Sequence, residues 1–374
     1  MRVLVPFGTR PEIVKLAPVV RALRAARFDV TVAATGQHYD AELTDVFYDE
    51  LGVRPDRAGR LRGTPAERLG GMLADAVELV AECRPDLVLL LGDTHTVPCF
   101  CLAARGARVP VAHLEAGMRS FNETSIEEVN RRVAGATASL HLAPTELAAR
   151  FLHAEGVPAE RVRVVGNPVL DVLRELGVAP RPPKERSGVV LTAHRATNVD
   201  DPLRLRQLVQ LLLALARKAG PVTFPVHPRT RSRLVEAGLL DLLDVDGIEL
   251  YPPLAYRDMV ERLAAARVVV TDSGGLQEEA AWLGIPVVVL RTSTPRWESV
   301  AAGASVLTGM DAERALTATL ELATPRAQDR VAAIPCPYGD GHTADRVVAL
   351  LEDPATGPLL RLEEPDYVGK APPA

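Results

Sequence analysis

With 374 residues, 47% hydrophobic and 24% charged, the chain is long enough for two ordinary domains and falls outside the disordered and membrane classes. A net charge of −5 gives nucleic acid no broad electrostatic footing. The opening MRVLVPFGTRPE lacks the apolar run and cleavage site of a signal peptide, and no later stretch is apolar enough to cross a bilayer, so a cytoplasmic protein is expected.

Along the chain, short β-branched runs alternate with longer helical patterns. VLVP, VTVAA, LVLLL and PVAHL come first, then VVLTA, VTFPV, RVVVT and PVVVL. That rhythm predicts an α/β protein whose parallel sheets are covered by helices on both faces. Between the two series, Ala179–Gly188 (APRPPKERSG) gathers three prolines and four charged residues and reads as an interdomain linker. The expected architecture is two Rossmann-like doubly wound domains facing a cleft, residues 1–178 and 189–340. The helix starting near Gly341 is expected to pack back on the first domain, with a loose tail after Pro354.

In open α/β sheets ligands sit beyond the carboxyl ends of the strands, and those ends are polar here. The first run leads to Gly8-Thr9-Arg10-Pro11-Glu12 and a helix carrying Lys15; free amides and cations at such a start attract anions. Only four lysines accompany 39 arginines, so a lysine kept beside a candidate site marks a need for a compact point charge. DLVLLL delivers Asp93, and PVAHL delivers Glu115 with Arg119 close behind. Paired carboxylates divide acid and base roles when their environments differ. In IEEVNRR, Glu127 and Arg131 lie four apart and share a face if the stretch is helical.

The second series repeats the pattern. VVLTA runs into His194-Arg195 and VTFPV into His227-Pro228-Arg229, pairs suited to anion handling or proton transfer. RVVVT reaches Asp272-Ser273-Gly274-Gly275, with the helix LQEEAAWLG directly behind. Those glycines let backbone amides approach a phosphate, and Glu279 lies where an acid accepts ribose hydroxyls in dinucleotide sites. Cys83, Cys99, Cys101 and Cys336 match no zinc spacing and read as core residues. Asp244-Val245-Asp246 looks like a metal-binding DxD but precedes its strand, so no metal site is expected. GxGxxG is absent, so nothing points to a nicotinamide cofactor.

In order, GTRPEIVKLAP, TGQH, GDTHT, HLEAGMRS, EEVNRR, APTE, GNPVLD, TAHR, PVHP, TDSGGLQEEA and PYGDG resemble the non-hydrolysing UDP-N-acetylglucosamine 2-epimerases across residues 2–350. The resemblance implies a glycosyltransferase-B-like fold and reversible interconversion of UDP-GlcNAc and UDP-ManNAc. UDP is eliminated across C1 and C2, a 2-acetamidoglucal is held, and UDP adds back. It also implies a homodimer and no cofactor. By resemblance Asp93, Glu115 and Glu127 serve proton transfer and oxocarbenium stabilisation. Arg10, Lys15, Arg131, His194, Ser273, Gly274 and Glu279 hold UDP, with His194 also counted as catalytic and His227, Gly275 and Arg296 completing the substrate-binding set.

The chain departs from the family pattern in several places. Thr294-Pro295-Arg296-Trp297-Glu298 stands where TERPE is usual, His95 replaces a threonine after GDT, and Arg195-Ala196-Thr197-Asn198 lacks the arginine–glutamate pair after HR. Tyr39-Asp40-Ala41-Glu42 alters the pattern tied to activation by a second UDP-GlcNAc molecule. The rivals are a hydrolysing 2-epimerase, a nucleotide-sugar glycosyltransferase of the same fold, and a catalytically silent UDP-sugar binder.

Overall fold

The structure, a computed structural model, describes residues 1–36, 48, 51–59, 61 and 63–363. The altered segment Tyr39–Glu42 and the tail beyond Glu363 lie outside them.

The described residues divide into two compact units. The first comprises Met1–Met118, Glu123–Pro168 and the chain from Thr343 onward; the second comprises Arg119–Asn122 and Val169–His342. The chain therefore passes between units at Pro168–Val169, and the expected linker Ala179–Gly188 lies wholly inside the second unit. The misreading has a local cause. Arg186 from that segment is buried and donates to the carbonyls of Arg181, Leu283 and Gly284, so the prolines shape an anchored turn rather than a spacer.

The first unit is built on a seven-stranded sheet ordered β3-β2-β1-β4-β5-β6-β7. Its strands are β1 (Arg2–Phe7), β2 (Asp29–Ala34), β3 (Arg57–Ala58), β4 (Leu87–Leu91), β5 (Val111–Leu114), β6 (Leu140–Ala143) and β7 (Val162–Val164). All pairings are parallel. Every residue of β4 is buried, as expected of a strand covered on both faces. Alternate side chains go to opposite layers: Leu87, Leu89 and Leu91 join one core cluster, Val88 and Leu90 another. Helix Thr343–Glu352 sends Ala344 and Val347 into the first of these. The chain beyond Pro354 is not loose over its described part, because Leu359 and Leu360 pack against that same core.

The second unit repeats the plan with six parallel strands ordered β10-β9-β8-β11-β12-β13. They are β8 (Val189–Thr192), β9 (Val222–Pro225), β10 (Ile248–Tyr251), β11 (Val268–Thr271), β12 (Val287–Val289) and β13 (Ser305–Leu307). Strand order reverses between β1 and β4 in one sheet and between β8 and β11 in the other, the switch points where such sheets open for ligands. Among the described residues no helix is long and apolar enough to cross a membrane.

Candidate active site

In the first unit Glu115, the residue after β5, has a φ of 61°, and Gly117 two positions on has 81°. A Cβ on Gly117 would lie 2.2 Å from the Ala148 carbonyl oxygen, so only glycine fits. A left-handed glutamate costs about 1–3 kcal/mol of backbone strain, a cost that clusters at functional sites. What the turn achieves is burial of a carboxylate on a cation. Glu115 is 6% exposed, and its Oε1 accepts from Lys15 Nζ at 2.5 Å and Asn167 Nδ2 at 3.0 Å.

Lys15, expected at a phosphate, holds the Glu115 carboxylate. Just before its helix, Arg10–Ala25, the N–H groups of Gly8 and Thr9 donate to Glu12 Oε2, each at 2.8 Å. Those two amides are committed within the chain, and Arg10 at the helix start is partly exposed.

Asp93 follows β4 and pairs with Arg131, while Asn130 Nδ2 donates to the Asp93 carbonyl at 2.8 Å. Arg131 also holds the buried Glu128 at 2.8 Å. Glu127 was the expected partner four residues back, but the helix Ile126–Thr137 brings Glu128 to Arg131 at a spacing of three. Glu127, half-buried, accepts from the Ser125 hydroxyl. Arg131 thus belongs with Asp93 in the first unit, bridging two acids.

In the second unit the organising residue is Asp272, which follows β11 and is fully buried. It accepts from the backbone N–H of His194 at 3.0 Å and of Arg195 at 2.9 Å, and from Asn198 Nδ2 at 3.0 Å. His194 Nδ1 lies 3.2 Å from its Oδ1. Burial pushes the Asp272 carboxyl up, but the bonds from His194, Arg195 and Asn198 outweigh that and hold it below the ordinary range. Sequence reasoning does not single out Asp272: it stands at a strand end, but its partners at 194, 195 and 198 are brought to it only by folding. The rings of His194 and His227 lie side by side, centroids 5.2 Å apart. His227 also caps the helix Pro228–Glu236, its Nδ1 accepting from Arg229 N–H at 3.2 Å. Burial, then the nearby His194, lowers its pKa.

Ser273 is the N-cap of the helix Gly274–Trp282, but its side chain makes no capping bond. Over this start lies Arg296: a Cβ on Gly274 would meet its Nη1 at 2.8 Å. Arg296 is buried, with Nε and Nη2 each 2.8 Å from Glu278 Oε1. A helix N-terminus roofed by a fixed guanidinium favours an anion. Gly275 continues that turn, and one turn further Glu279 accepts from the Tyr256 hydroxyl at 3.0 Å. Glu278 and Tyr256 were not foreseen; Glu278 differs from Glu279 only in helical phase. Trp297 donates from Nε1 to the Arg119 carbonyl at 2.9 Å, within this unit.

Among the described residues, no cluster of three His, Cys, Asp or Glu residues forms a metal site, and Asp244 and Asp246 are exposed. Cys99 and Cys101 are buried, whereas Cys83 and Cys336 are only half-buried.

A family model described as UDP-N-acetylglucosamine 2-epimerase matches residues 21–352. A protein of that name from Methanocaldococcus jannaschii is 35% identical over 369 residues, covering 94% of this chain and 99% of the relative. A UDP-2,3-diacetamido-2,3-dideoxy-D-glucuronate 2-epimerase from Pseudomonas aeruginosa is also 35% identical, over 83% of this chain and 88% of its own. The crystal structure of the Methanocaldococcus jannaschii UDP-GlcNAc 2-epimerase in complex with UDP-GlcNAc and UDP superposes with a TM-score of 0.85 at 34% identity, covering 94% of this chain and 99% of that one.

Proposed function

The chain belongs to the UDP-N-acetylglucosamine 2-epimerase family, and on that premise we propose that it interconverts UDP-GlcNAc and UDP-ManNAc without hydrolysis. A base removes the C2 proton, the C–H electron pair forms the C1=C2 bond, and the C1–O bond breaks with its electrons leaving on UDP. The 2-acetamidoglucal is then protonated on the other face of C2 as the UDP oxygen re-attacks C1. No electrons are lost or gained overall, so no redox cofactor is called for.

The observation that carries this reading is the pair of strand-end carboxylates in the first unit, Asp93 on Arg131 and Glu115 on Lys15. Two acids held by separate cations suit opposite proton transfers at one carbon. Glu127 supports the oxocarbenium character that develops at C1. In the second unit the Ser273-Gly274-Gly275 turn, roofed by Arg296, takes the diphosphate, whose growing charge it stabilises. Glu279 takes the ribose, and His194 and His227 the phosphate, with Asp272 orienting His194.

Incubation with UDP-GlcNAc in deuterated water tests this: deuterium at C2 of both sugars, with UDP retained, is expected. Free ManNAc and UDP would mark a hydrolysing epimerase, transfer to an acceptor a glycosyltransferase, and absence of exchange on every UDP-HexNAc would refute the proposal. A second reading changes only the sugar, to a 2,3-diacetamido uronate like that named for the Pseudomonas relative. The loss of an acid at Pro295 favours it, and including that UDP-sugar in the panel decides.

The same reading places the protein in the cytoplasm as a homodimer. Leu69, Leu73 and Val77 repeat every four residues on the exposed face of helix Pro65–Cys83, beside Gly70, and each is more than one-third exposed. An apolar stripe with a small residue suits a second copy of the chain.

A further inference from the structure

Glu12 appears nowhere in the catalytic scheme, yet it is buried and its carboxylate accepts four hydrogen bonds. Oε2 accepts from Gly8 N–H, Thr9 N–H and the Thr9 hydroxyl at 3.0 Å. Oε1 accepts from the Thr94 hydroxyl at 2.7 Å. The Thr9 N–H bond is the Glu12 half of a helix capping box, and the other two, from Gly8 N–H and the Thr9 hydroxyl, are equally local. The fourth spans 82 positions of sequence and ends on the residue after Asp93.

The turn that carries Asp93 is held residue by residue. The Gly92 carbonyl accepts from His113 Nε2 at 2.8 Å, the Asp93 carbonyl from Asn130, the Asp93 carboxylate from Arg131, and the Thr94 hydroxyl donates to Glu12. Three of these holds come from β5 and the helix Ile126–Thr137. The fourth comes from the helix Arg10–Ala25, which also carries Lys15, the cation on Glu115. Glu12 and Lys15 are three residues apart, so they project from one face of that helix. One rigid helical turn thus grips both acid-bearing turns.

We propose that Glu12 is a positioning residue for the epimerisation: through Thr94 it locks Asp93 at a fixed spacing from Glu115, with the first helix as the ruler. This rests on the epimerase reading for its consequence but not for its geometry. Two proton transfers at opposite faces of one carbon need the two acids at a set separation, and a misplacement of about 1 Å costs about 100-fold. Burial raises the Glu12 carboxyl to about 7 against the four donors. At pH 8 it is therefore mainly ionised and accepts from all of them.

Thr94→Val removes the hydroxyl while keeping shape and the Glu12 capping box. At pH 8 we expect kcat for C2 exchange to fall about 10- to 100-fold, with KM for UDP-GlcNAc and UDP affinity within about twofold. Thr94→Ser, which restores the hydroxyl, returns kcat to within about threefold of the parent. Glu12→Asp withdraws the carboxylate from Thr94 as well as from its local donors, so adding Thr94→Val to it lowers kcat no further than the worse single change, the Glu12–Thr94 bond being already cut. Unchanged kcat in Thr94→Val, no rescue by serine, or additive losses would each overturn the proposal. Should the parent exchange no UDP-sugar, the epimerase reading falls separately. Crystal structures of the parent and Thr94→Val then decide: Asp93 displaced from Arg131 supports the tether, and Asp93 in place refutes it.

Discussion

Replacing Glu115 by Gln separates binding from chemistry and measures what holds the carboxylate in its strained turn. Lys15 Nζ and Glu115 Oε1 are 2.5 Å apart, with side chains 10% and 7% exposed. At an effective dielectric of about 20 their gross attraction is about 7 kcal/mol, much of it offset by dehydrating both ions. Breaking the pair from one side strands the Lys15 ammonium in the interior and costs about 3–5 kcal/mol. Removing both charges with Lys15→Met and Glu115→Gln recovers part of that loss. We therefore expect each single variant to lose about 3 kcal/mol and the double variant to lose less than the sum by about 2 kcal/mol. Scanning calorimetry of the four proteins gives the cycle. Glu115→Gln should abolish C2 exchange while titration calorimetry with UDP stays within about threefold, because the residues assigned to the diphosphate are elsewhere. Additive stability losses would refute the pair, and loss of UDP affinity along with activity would refute the assigned role.

Four further outcomes are expected. Asp272→Asn puts an amide against the N–H donors of His194 and Arg195 and should cost about 2–4 kcal/mol in unfolding free energy, weakening UDP binding with it; a variant as stable as the parent would remove Asp272 from its organising role. His227, lowered by burial and His194, binds fewer protons folded than unfolded, so its contribution is full above about 6.5 and lost as pH falls from there toward the folded value. His227→Asn keeps an N-cap acceptor and should flatten that loss in urea midpoints taken from pH 7.5 to 5. Glu12, raised to about 7 by burial, works in the opposite sense: its contribution is full below the unfolded value and lost as pH rises through 7. Glu12→Gln should remove a decline on the order of 3 kcal/mol across that window. Leu73→Asp, which places a charge in the exposed stripe, should convert a dimer to monomer in light scattering with little change in melting temperature, and an unchanged mass would move the interface elsewhere.

Strand ends were legible because a parallel sheet imposes one repeated spelling, an apolar run followed by polar residues. That spelling located Asp93, Glu115, His194, His227 and Ser273 one by one. Partnership was less legible. Glu12 reads as the ordinary acid of a helix start, and only folding brings Thr94 to it across 82 positions. Lys15 stands out in the sequence by its rarity, yet its partner depends on a left-handed turn at Glu115 that no propensity foretells. Glu127 and Glu128 are adjacent in sequence, and helical phase alone gives Arg131 to the second. The unit boundary was misplaced for a related reason. Proline and charge mark a turn equally well whether or not an arginine such as Arg186 anchors it.

The departures at Thr294–Glu298 take on a definite sense once Arg296 is located. Pro295 and Trp297 flank it, but its own contacts are intact: Nε and Nη2 on Glu278, its N–H on Thr294 Oγ1 at 3.2 Å, and its carbonyl accepting from Tyr338 at 3.4 Å. Those bonds fix the guanidinium over Gly274, and the diphosphate seat proposed there would be indifferent to which sugar UDP carries. What changes is the charge next to it. With proline at 295 the second unit has one carboxylate fewer beside a fixed cation, which lowers the electrostatic cost of a negatively charged sugar while gaining nothing for a neutral one. The neutral and uronate readings therefore share the seat, the two acids and the elimination, and they differ by a single charge on the substrate. Relative kcat/KM for the two UDP-sugars, with its dependence on ionic strength, is the quantity that charge must move.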